Sequence, residues 1–512
     1  MQFSPAQFPF MGASLAVLFA GALLIYIFKG HLEKSAGKVA VAFSGIASAL
    51  MIIPFYSLIS NPAGEGWVES VQWSEILGTF GLRLDGIAFS VTFAIVVLGF
   101  VSVIYAVGYT SHEHNKPTFF ANQLFFLMGM QWVSLATNLI EFFIAWELML
   151  VPSYFLILFW GLPETRKRTA LKFWLYTQSG AVCIFIGLGL LYLVSGASSF
   201  DLYTIQLAIE AYTGTFDLRV IFILLAAGFL VKMAVFPIHW WLPPVHAEAP
   251  TPISVLLSGA MIETGAYALV RFGTITLNAA AQELSIYIAA LGVITMFYGG
   301  IMALVQKDIK RLLAYSSVSQ MGYVLFALSV FSVMGVSGGL FHLINHAFSK
   351  GLLFMTAGAV MHQTGIRNID KLGGLSNKMP ITAFMAAIGA MSIAGSPPLG
   401  GFASEWMMFL GGFQAAVTGG VIVNPVLLVL SVLAVSSSIL SAGYMLRFLW
   451  KVFLGPNPAE LEEVTEGPRS MTIPMVILGF LIVFFGIFPG IALNVIMPAV
   501  NAIPNLFPFL AP

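Results

Sequence analysis

Five ionisable side chains lie within long apolar runs of this sequence: Glu147, Lys232, Glu263, Lys350 and Glu405. A charge at the centre of a membrane helix costs about 2.5–3.5 kcal/mol on insertion scales. Five such groups in one chain point to an ion pathway through a helix bundle. The competing reading is a set of buried pairs that fix helix packing. Glu147, in FFIAWELMLVPSYF, and Lys232, in VKMAVFPIHWWLPP, carry opposite charge. Held close, each keeps the other ionised. Moving Glu147 away favours loss of a proton from Lys232, and its return favours uptake, a switch that moves one proton per cycle. In FHLINHAFSKGLLF, His342, His346 and Lys350 stand at i, i+4 and i+8. Helical geometry puts them on one face, spread over about 12 Å. That spacing suits a proton relay with water between the groups, and histidine titrates near neutral pH. A zinc pair would need at least one more ligand, and no Cys or Asp is placed to supply it. The other alternative is a pair of hydrogen-bonded core histidines, with Asn345 adding a bond. His239 and His246 flank the tryptophan–proline stretch after Lys232, and each reads equally as pathway or satisfied polar residue. His246 is expected at the cytoplasmic mouth with Glu248. His31, His112, His114 and His362 fall in or near loops and read as surface residues. Asp308, Lys310 and Arg311 open a span and read as the anchor of its cytoplasmic end. Glu141 lies nearer a helix end than Glu147.

The elements that must position these groups follow from composition. The 512 residues are 59% hydrophobic and only 9% charged, whereas a soluble domain carries about 25% charge. The chain therefore belongs in a bilayer. It has 22 basic and 22 acidic residues and no basic block, which argues against nucleic acid as a partner. The single cysteine, Cys183, excludes a disulfide within the chain and cannot ligate an iron–sulfur cluster alone. No P-loop occurs, nor a GxGxxG in a strand–turn–helix setting. The chain is therefore expected to carry no redox cofactor or nucleotide of its own.

Fourteen apolar runs read as membrane helices, near 8–28, 37–60, 84–109, 118–137, 139–161, 169–195, 218–242, 250–272, 284–306, 308–331, 334–363, 380–415, 423–454 and 471–500. Continuous rather than alternating runs exclude a β-barrel. The N-terminal MQFSPAQFPF lacks a basic segment and a small-residue cleavage site, so the first helix is expected to be retained. With this parity, seventeen of the basic residues share one side, and only Arg83, Arg219 and Arg271 lie on the other. The positive-inside rule makes the first side cytoplasmic and both termini external. Two spans are interrupted by proline, the seventh at Pro237 and the twelfth at Pro397 and Pro398, each near an ionisable residue. Irregular backbone at membrane depth is tolerated only under cover of protein or water. A matched pair of broken helices points to an inverted-repeat transporter. Spans four to eight and nine to thirteen would be the two repeats, since an odd number of helices inverts the second copy. The expected fold is all-α and polytopic, divided into 1–117, 118–272 (first repeat), 273–455 (second repeat) and 456–512.

The segments FFIAWELMLVPSYF, KMAVFPIHWWLPPVHAEAPTPIS, KDIKRLLAYSSVSQMGY, FHLINHAFSKGLLF and PPLGGFASEW together resemble the antiporter-like subunits of respiratory complex I. The same family includes large subunits of Mrp-type cation/proton antiporters and of membrane-bound hydrogenases. The resemblance covers spans three to thirteen. It implies two inverted five-helix repeats, each holding a half-channel. It also implies that Glu147 and Lys232 form the pumping pair, that His342, His346 and Lys350 form the central relay, and that Glu405 is the exit-side group. An acid at 405 looks most like the M type (subunit 4) of complex I, as does a chain expected to stop shortly after span fourteen without a long lateral helix. Two positions depart from the pattern: Glu263 stands where M-type relatives usually have lysine, and Glu141 where an apolar residue is usual. The surplus carboxylate at depth suits a bound proton and equally suits Na⁺.

The leading expectation is thus a proton-translocating subunit of a complex I-like oxidoreductase in a prokaryotic or equivalent energy-converting membrane. Iron–sulfur clusters and, in some such complexes, flavin would sit in partner subunits, beside further antiporter-like subunits. The alternatives are a subunit of an Mrp-type Na⁺/H⁺ antiporter or of a membrane-bound hydrogenase, and a scaffold of the membrane arm that pumps nothing.

Overall fold

The computed structural model describes residues 8–75, 77–111, 113–418 and 420–506. The surface reading of His112 and most of the N-terminal segment fall outside these residues. The chain is an all-α polytopic membrane protein with two small hairpins. In order, its main elements are α1 (Phe10–Ile27), α2 (Ala36–Ser60), strands β1 (Trp67–Ser74) and β2 (Gly78–Leu84), α3 (Gly86–Tyr109), α4 (Lys116–Leu135), α5 (Leu139–Trp160), α6 (Arg166–Ser195), α7 (Leu202–Glu210), α8 (Leu218–Lys232) and α9 (Leu242–Glu248). There follow α10 (Thr251–Thr276), α11 (Ser285–Val305), α12 (Ile309–Ser329), α13 (Val333–Thr364), α14 (Pro380–Ile393), α15 (Gly400–Ala416), α16 (Pro425–Leu454), α17 (Arg469–Ile487) and α18 (Gly490–Asn501).

Among the described residues, ten helices are long and apolar enough to cross a membrane: α1, α2, α3, α5, α6, α10, α11, α12, α16 and α17. Several of them start at side chains that satisfy the free N–H groups of a first turn. Asp85 Oδ1 accepts from Ile87 and Ala88 at 3.1 and 2.9 Å. Asn138 caps α5 through Ile140 at 2.9 Å, and Asp308 caps α12 through Arg311 at 2.9 Å. The bundle is graded from core to rim. The most apolar stretch of α10 is wholly buried and that of α12 is 94% buried, against 28% for α16. On α13 every residue from Val333 to Val360 is buried. A helix surrounded by protein on all sides is where ionisable groups escape lipid, and these three helices carry Glu263, Lys310, His342, His346 and Lys350.

Two interrupted spans are confirmed. The first ends at Lys232, passes through irregular backbone containing Pro237, and resumes as α9. Trp241 Nε1 donates to the carbonyl of Val231 at 2.9 Å, so the break closes on itself. The second ends at Ile393 and resumes at Gly400. Gly395 adopts φ +66°, a left-handed conformation that favours glycine.

Other features depart from the sequence reading. Trp67–Ser74 and Gly78–Leu84 pair as an antiparallel hairpin. Glu69 on β1 accepts from the backbone N–H groups of Met11 and Gly12, both at 2.8 Å, and from Trp67 Nε1 at 2.9 Å. The hairpin therefore caps α1 with a carboxylate, where the helix dipole favours negative charge. The run 471–500 is not one helix; it divides at Phe488–Pro489 into α17 and α18. The short helix α7 was not expected, because nine residues are too few to read as a span.

Candidate functional site

Glu147 projects from the middle of α5, half-buried, and Lys232 is the last residue of α8, 2% exposed. The two interact electrostatically, and the Gln178 amide on α6 reaches the Glu147 carboxyl. Lys232 Nζ has no hydrogen-bond partner and lies 4.9 Å from the centroid of the Trp146 ring. A cation over an aromatic face is held weakly compared with a contact ion pair. The expected pair is thus brought together, with the lysine head left free.

Along α13 the three expected relay groups each reach a different set of helices. His342 Nδ1 lies 2.9 Å from Ser404 Oγ on α15, and its Nε2 lies 2.8 Å from Gln320 Oε1 on α12. His346 Nδ1 lies 2.9 Å from Glu263 Oε1 on α10, both side chains fully buried. Lys350 donates to Ser316 Oγ and, at 3.3 Å, to the carbonyl of Leu313, both on α12. The rings of His342 and His346 are 6.1 Å apart. The two histidines differ: both nitrogens of His342 are occupied, as in a satisfied core residue, whereas His346 Nε2 has no partner.

His239 and His246 are fully buried, and neither ring makes a hydrogen bond. His246 stacks on Phe354 at 4.8 Å and feels the charges of Lys310 and Lys350. His239 packs among Phe236, Trp240 and Tyr298. Glu405, 4% exposed, has its Oε1 unpartnered. It faces Gly395 of the second break and a cavity of about 350 Å³ bounded by Phe402, Trp406 and Phe409. Buried polar atoms without protein partners are where a protein holds water, and here they recur from Lys232 through His246, Glu263 and His346 to Glu405.

Some residues were read wrongly or not at all. Lys310 is not a loop anchor: it is 2% exposed and donates to the carbonyl of Ala249 at 2.5 Å. Its neighbour Arg311 is exposed, since the next residue of a 3.6-residue turn is rotated off the buried face. Asp308 does anchor this end, holding Arg367 at 2.9 Å. Arg271, at the end of α10, grips both oxygens of Asp85 at 2.8 and 2.7 Å, a partner the sequence reading did not assign. Glu141 is fully buried and accepts from Trp132 Nε1 at 2.7 Å and Gly81 N at 3.1 Å, tying the hairpin to α4 and α5. Gln178, Ser316, Gln320 and Ser404 were passed over; their only signal was polarity inside apolar runs. Among the described residues, no group of three His, Cys, Asp or Glu side chains is placed to hold a metal ion.

The family model described as NADH:quinone oxidoreductase/Mrp antiporter, transmembrane, matches residues 136–433. The chain is similar to NADH-quinone oxidoreductase subunit M of Rickettsia prowazekii, 32% identical over 499 residues, covering 96% of this chain and 97% of that one. It is also similar to a Na⁺/H⁺ antiporter subunit from Alkalihalophilus pseudofirmus, 34% identical over 475 residues, covering 89% of this chain but only 58% of that longer protein. Among solved structures it resembles a chain of the Mrp complex from Dietzia sp., with TM-score 0.81 and 27% identity over 95% of this chain and 52% of that one. A chain of respiratory complex I from Thermus thermophilus matches in fold, with TM-score 0.81 and 24% identity, covering 95% and 99%.

Proposed function

The chain belongs to the NADH:quinone oxidoreductase/Mrp antiporter family of transmembrane subunits, and from that premise we propose that it translocates protons within a complex I-like membrane arm. The observation that carries this reading is the line of ionisable groups running from Glu147 and Lys232, through Glu263, His346, His342 and Lys350, to Glu405, in which Glu147, Lys232, Glu263, His346 and Glu405 each keep a polar atom without a hydrogen bond. His239 and His246 flank the line beside the first break. Similarity to NADH-quinone oxidoreductase subunit M over 499 residues supports the oxidoreductase setting.

In this reading the ten long apolar helices, the polar spans α4 and α13, and the two broken helices make fourteen crossings. Helices α4 to α10 and α11 to α16 form two inverted repeats, and the basic-rich side is cytoplasmic with both termini external. Each break ends beside a titratable group, Lys232 in one repeat and Glu405 in the other. Electron transfer is assigned to partner subunits that hold the iron–sulfur clusters and flavin. Glu147 approaching or leaving Lys232 sets whether the lysine holds its proton, and the groups on α13 pass it onward.

The test is purification of the tagged chain with its complex in mild detergent, followed by iron and flavin analysis. NADH, reduced ferredoxin and hydrogen are then offered as donors. Iron with donor-driven turnover supports the proposal. An iron-free set of membrane subunits with Na⁺-driven proton exchange would replace it with the antiporter reading.

A further inference from the structure

We infer that a cavity at one surface of the bundle holds the phosphoethanolamine headgroup of a phospholipid. The cavity, about 290 Å³, is walled by one face of the hairpin, the start of α7 and the end of α10. Arg83 and Arg271, two of the three basic residues that the charge count places on the sparsely charged side, line it together. Asp201 supplies a carboxylate to the same wall.

Charge divides this wall into two ends. At one end Arg271 spends its guanidinium on Asp85, at 2.8 and 2.7 Å, and on Tyr267 Oη, at 3.2 Å. Arg83 is left with a carboxylate already taken: its Nε stands 3.6 Å from Asp85 and is buried without a hydrogen bond. Two guanidiniums on one carboxylate leave a positive charge over. At the other end Asp201 Oδ1 accepts from Thr79 N at 3.0 Å, Thr79 Oγ1 at 2.9 Å and Asn138 Nδ2 at 3.3 Å. Its Oδ2 accepts from Ser199 Oγ at 3.0 Å. A carboxylate oxygen has two lone pairs, so Oδ2 keeps room for a further donor. Thr79 and Arg83 lie on the same face of β2, two side-chain repeats apart, which sets the ends about 13 Å apart along the strand. A packing role accounts for Asp201, which ties the hairpin to α7. It does not account for Arg83, whose Nε gives up water and gains no hydrogen bond.

The cavity lies where membrane helices end. Arg83 shortly precedes α3, Thr137 precedes α5, Asp201 follows α6, and Arg271 belongs to the end of α10. That is the level of lipid headgroups. Helix α7 is too short to cross the bilayer, and Tyr203 and Leu207, one turn apart on it, are exposed. They offer acyl chains an apolar strip beside the cavity. A phosphate diester carries one negative charge and a primary ammonium one positive charge, so phosphoethanolamine matches both ends. Its phosphate meets Arg83, whose planar guanidinium suits phosphate oxygens. Its ammonium donates to Asp201 Oδ2. A phosphatidylglycerol headgroup would bring Asp201 no cation, and the quaternary ammonium of phosphatidylcholine has no N–H to donate.

The test places the parent complex in phosphatidylcholine vesicles with a trace of phosphatidylethanolamine that carries a diazirine on its acyl chain, next to the glycerol. After illumination, peptide mapping reads the label on the hairpin (67–84) and on α7 (202–210). Labelling there should exceed that from matched phosphatidylcholine and phosphatidylglycerol probes, and Arg83→Gln should lower it by about tenfold. Equal labelling by the three probes, or unchanged labelling in assembled Arg83→Gln, would overturn the site. Stronger labelling by the phosphatidylglycerol probe would overturn the two-ended match. Excess soluble phosphoethanolamine should leave the label in place; its removal of the label would overturn the lipid as occupant. If Arg83→Gln does not assemble, the native complex decides: excess unlabelled phosphatidylethanolamine must displace the probe, and persistence of the label overturns the site.

Discussion

Glu141 and Glu263 are both fully buried carboxylates, and their surroundings separate them. Both Glu141 oxygens accept protein N–H groups, from Trp132 and Gly81. Glu263 has one oxygen on His346 and one on nothing. Glu141→Ala is therefore predicted to lower thermal stability in detergent by about 1–3 kcal/mol, while proton uptake per assembled complex stays unchanged. Asp85 and Arg271 make a second structural pair. Burial acts against the Asp85 charge, but the Arg271 guanidinium, with help from Arg83 and the Ala88 N–H, holds the carboxyl well below the usual range. For a lowered carboxyl, the stabilisation is present above the unfolded value near 3.9 and is lost only as pH falls through the folded value. Asp85→Asn should thus melt lower than wild type throughout pH 8 to about 4. A wild-type melting curve for it at neutral pH would contradict the pairing. The residue types at the site were legible because charge in an apolar run is conspicuous. Their partners were not: Glu263 and His346 are 83 residues apart, and Lys310 reaches a carbonyl 61 residues away. Spacing along one helix places neighbours on a face, but it carries no information about which other helix that face meets.

At the scale of elements, the two breaks are the features that turn a bundle of apolar helices into a route. The prolines announced both, and the side-chain and backbone contacts that close them lie outside any sequence pattern. In the second break, a Cβ at Gly401 would fall on the carbonyl oxygen of Ser392, across the gap between α14 and α15. Gly401→Ala is predicted to force the two half-helices apart, at about 1–3 kcal/mol of overpacking. Proton uptake should fall with it, since Glu405 stands one turn further along α15. Normal uptake and stability in that variant would show that the junction does not need this close approach. The hairpin and the division of the last apolar run at Pro489 escaped the sequence reading for a shared reason. A hydropathy pattern reports burial in lipid, and it does not distinguish a strand that caps a helix from a loop, nor one helix from two.

For the whole molecule, the grading of burial explains where chemistry is affordable. The enclosed helices α10, α12 and α13 carry Glu263, Lys310, His342, His346 and Lys350, whereas α16, the most exposed of the long helices, carries no charge until its last two turns. Fold class and the positions of most apolar segments were readable because bilayer thickness dictates segment length. The central line of groups becomes visible only once the helices are assembled. Its most direct test is the ratio of protons moved to donor oxidised in vesicles carrying Lys232→Ala and Glu147→Gln. Neither variant touches an electron carrier in this account, so donor oxidation should continue in an assembled complex while proton movement falls by about tenfold or more. An unchanged ratio in both variants, with the complex intact, would contradict a proton route through Glu147 and Lys232.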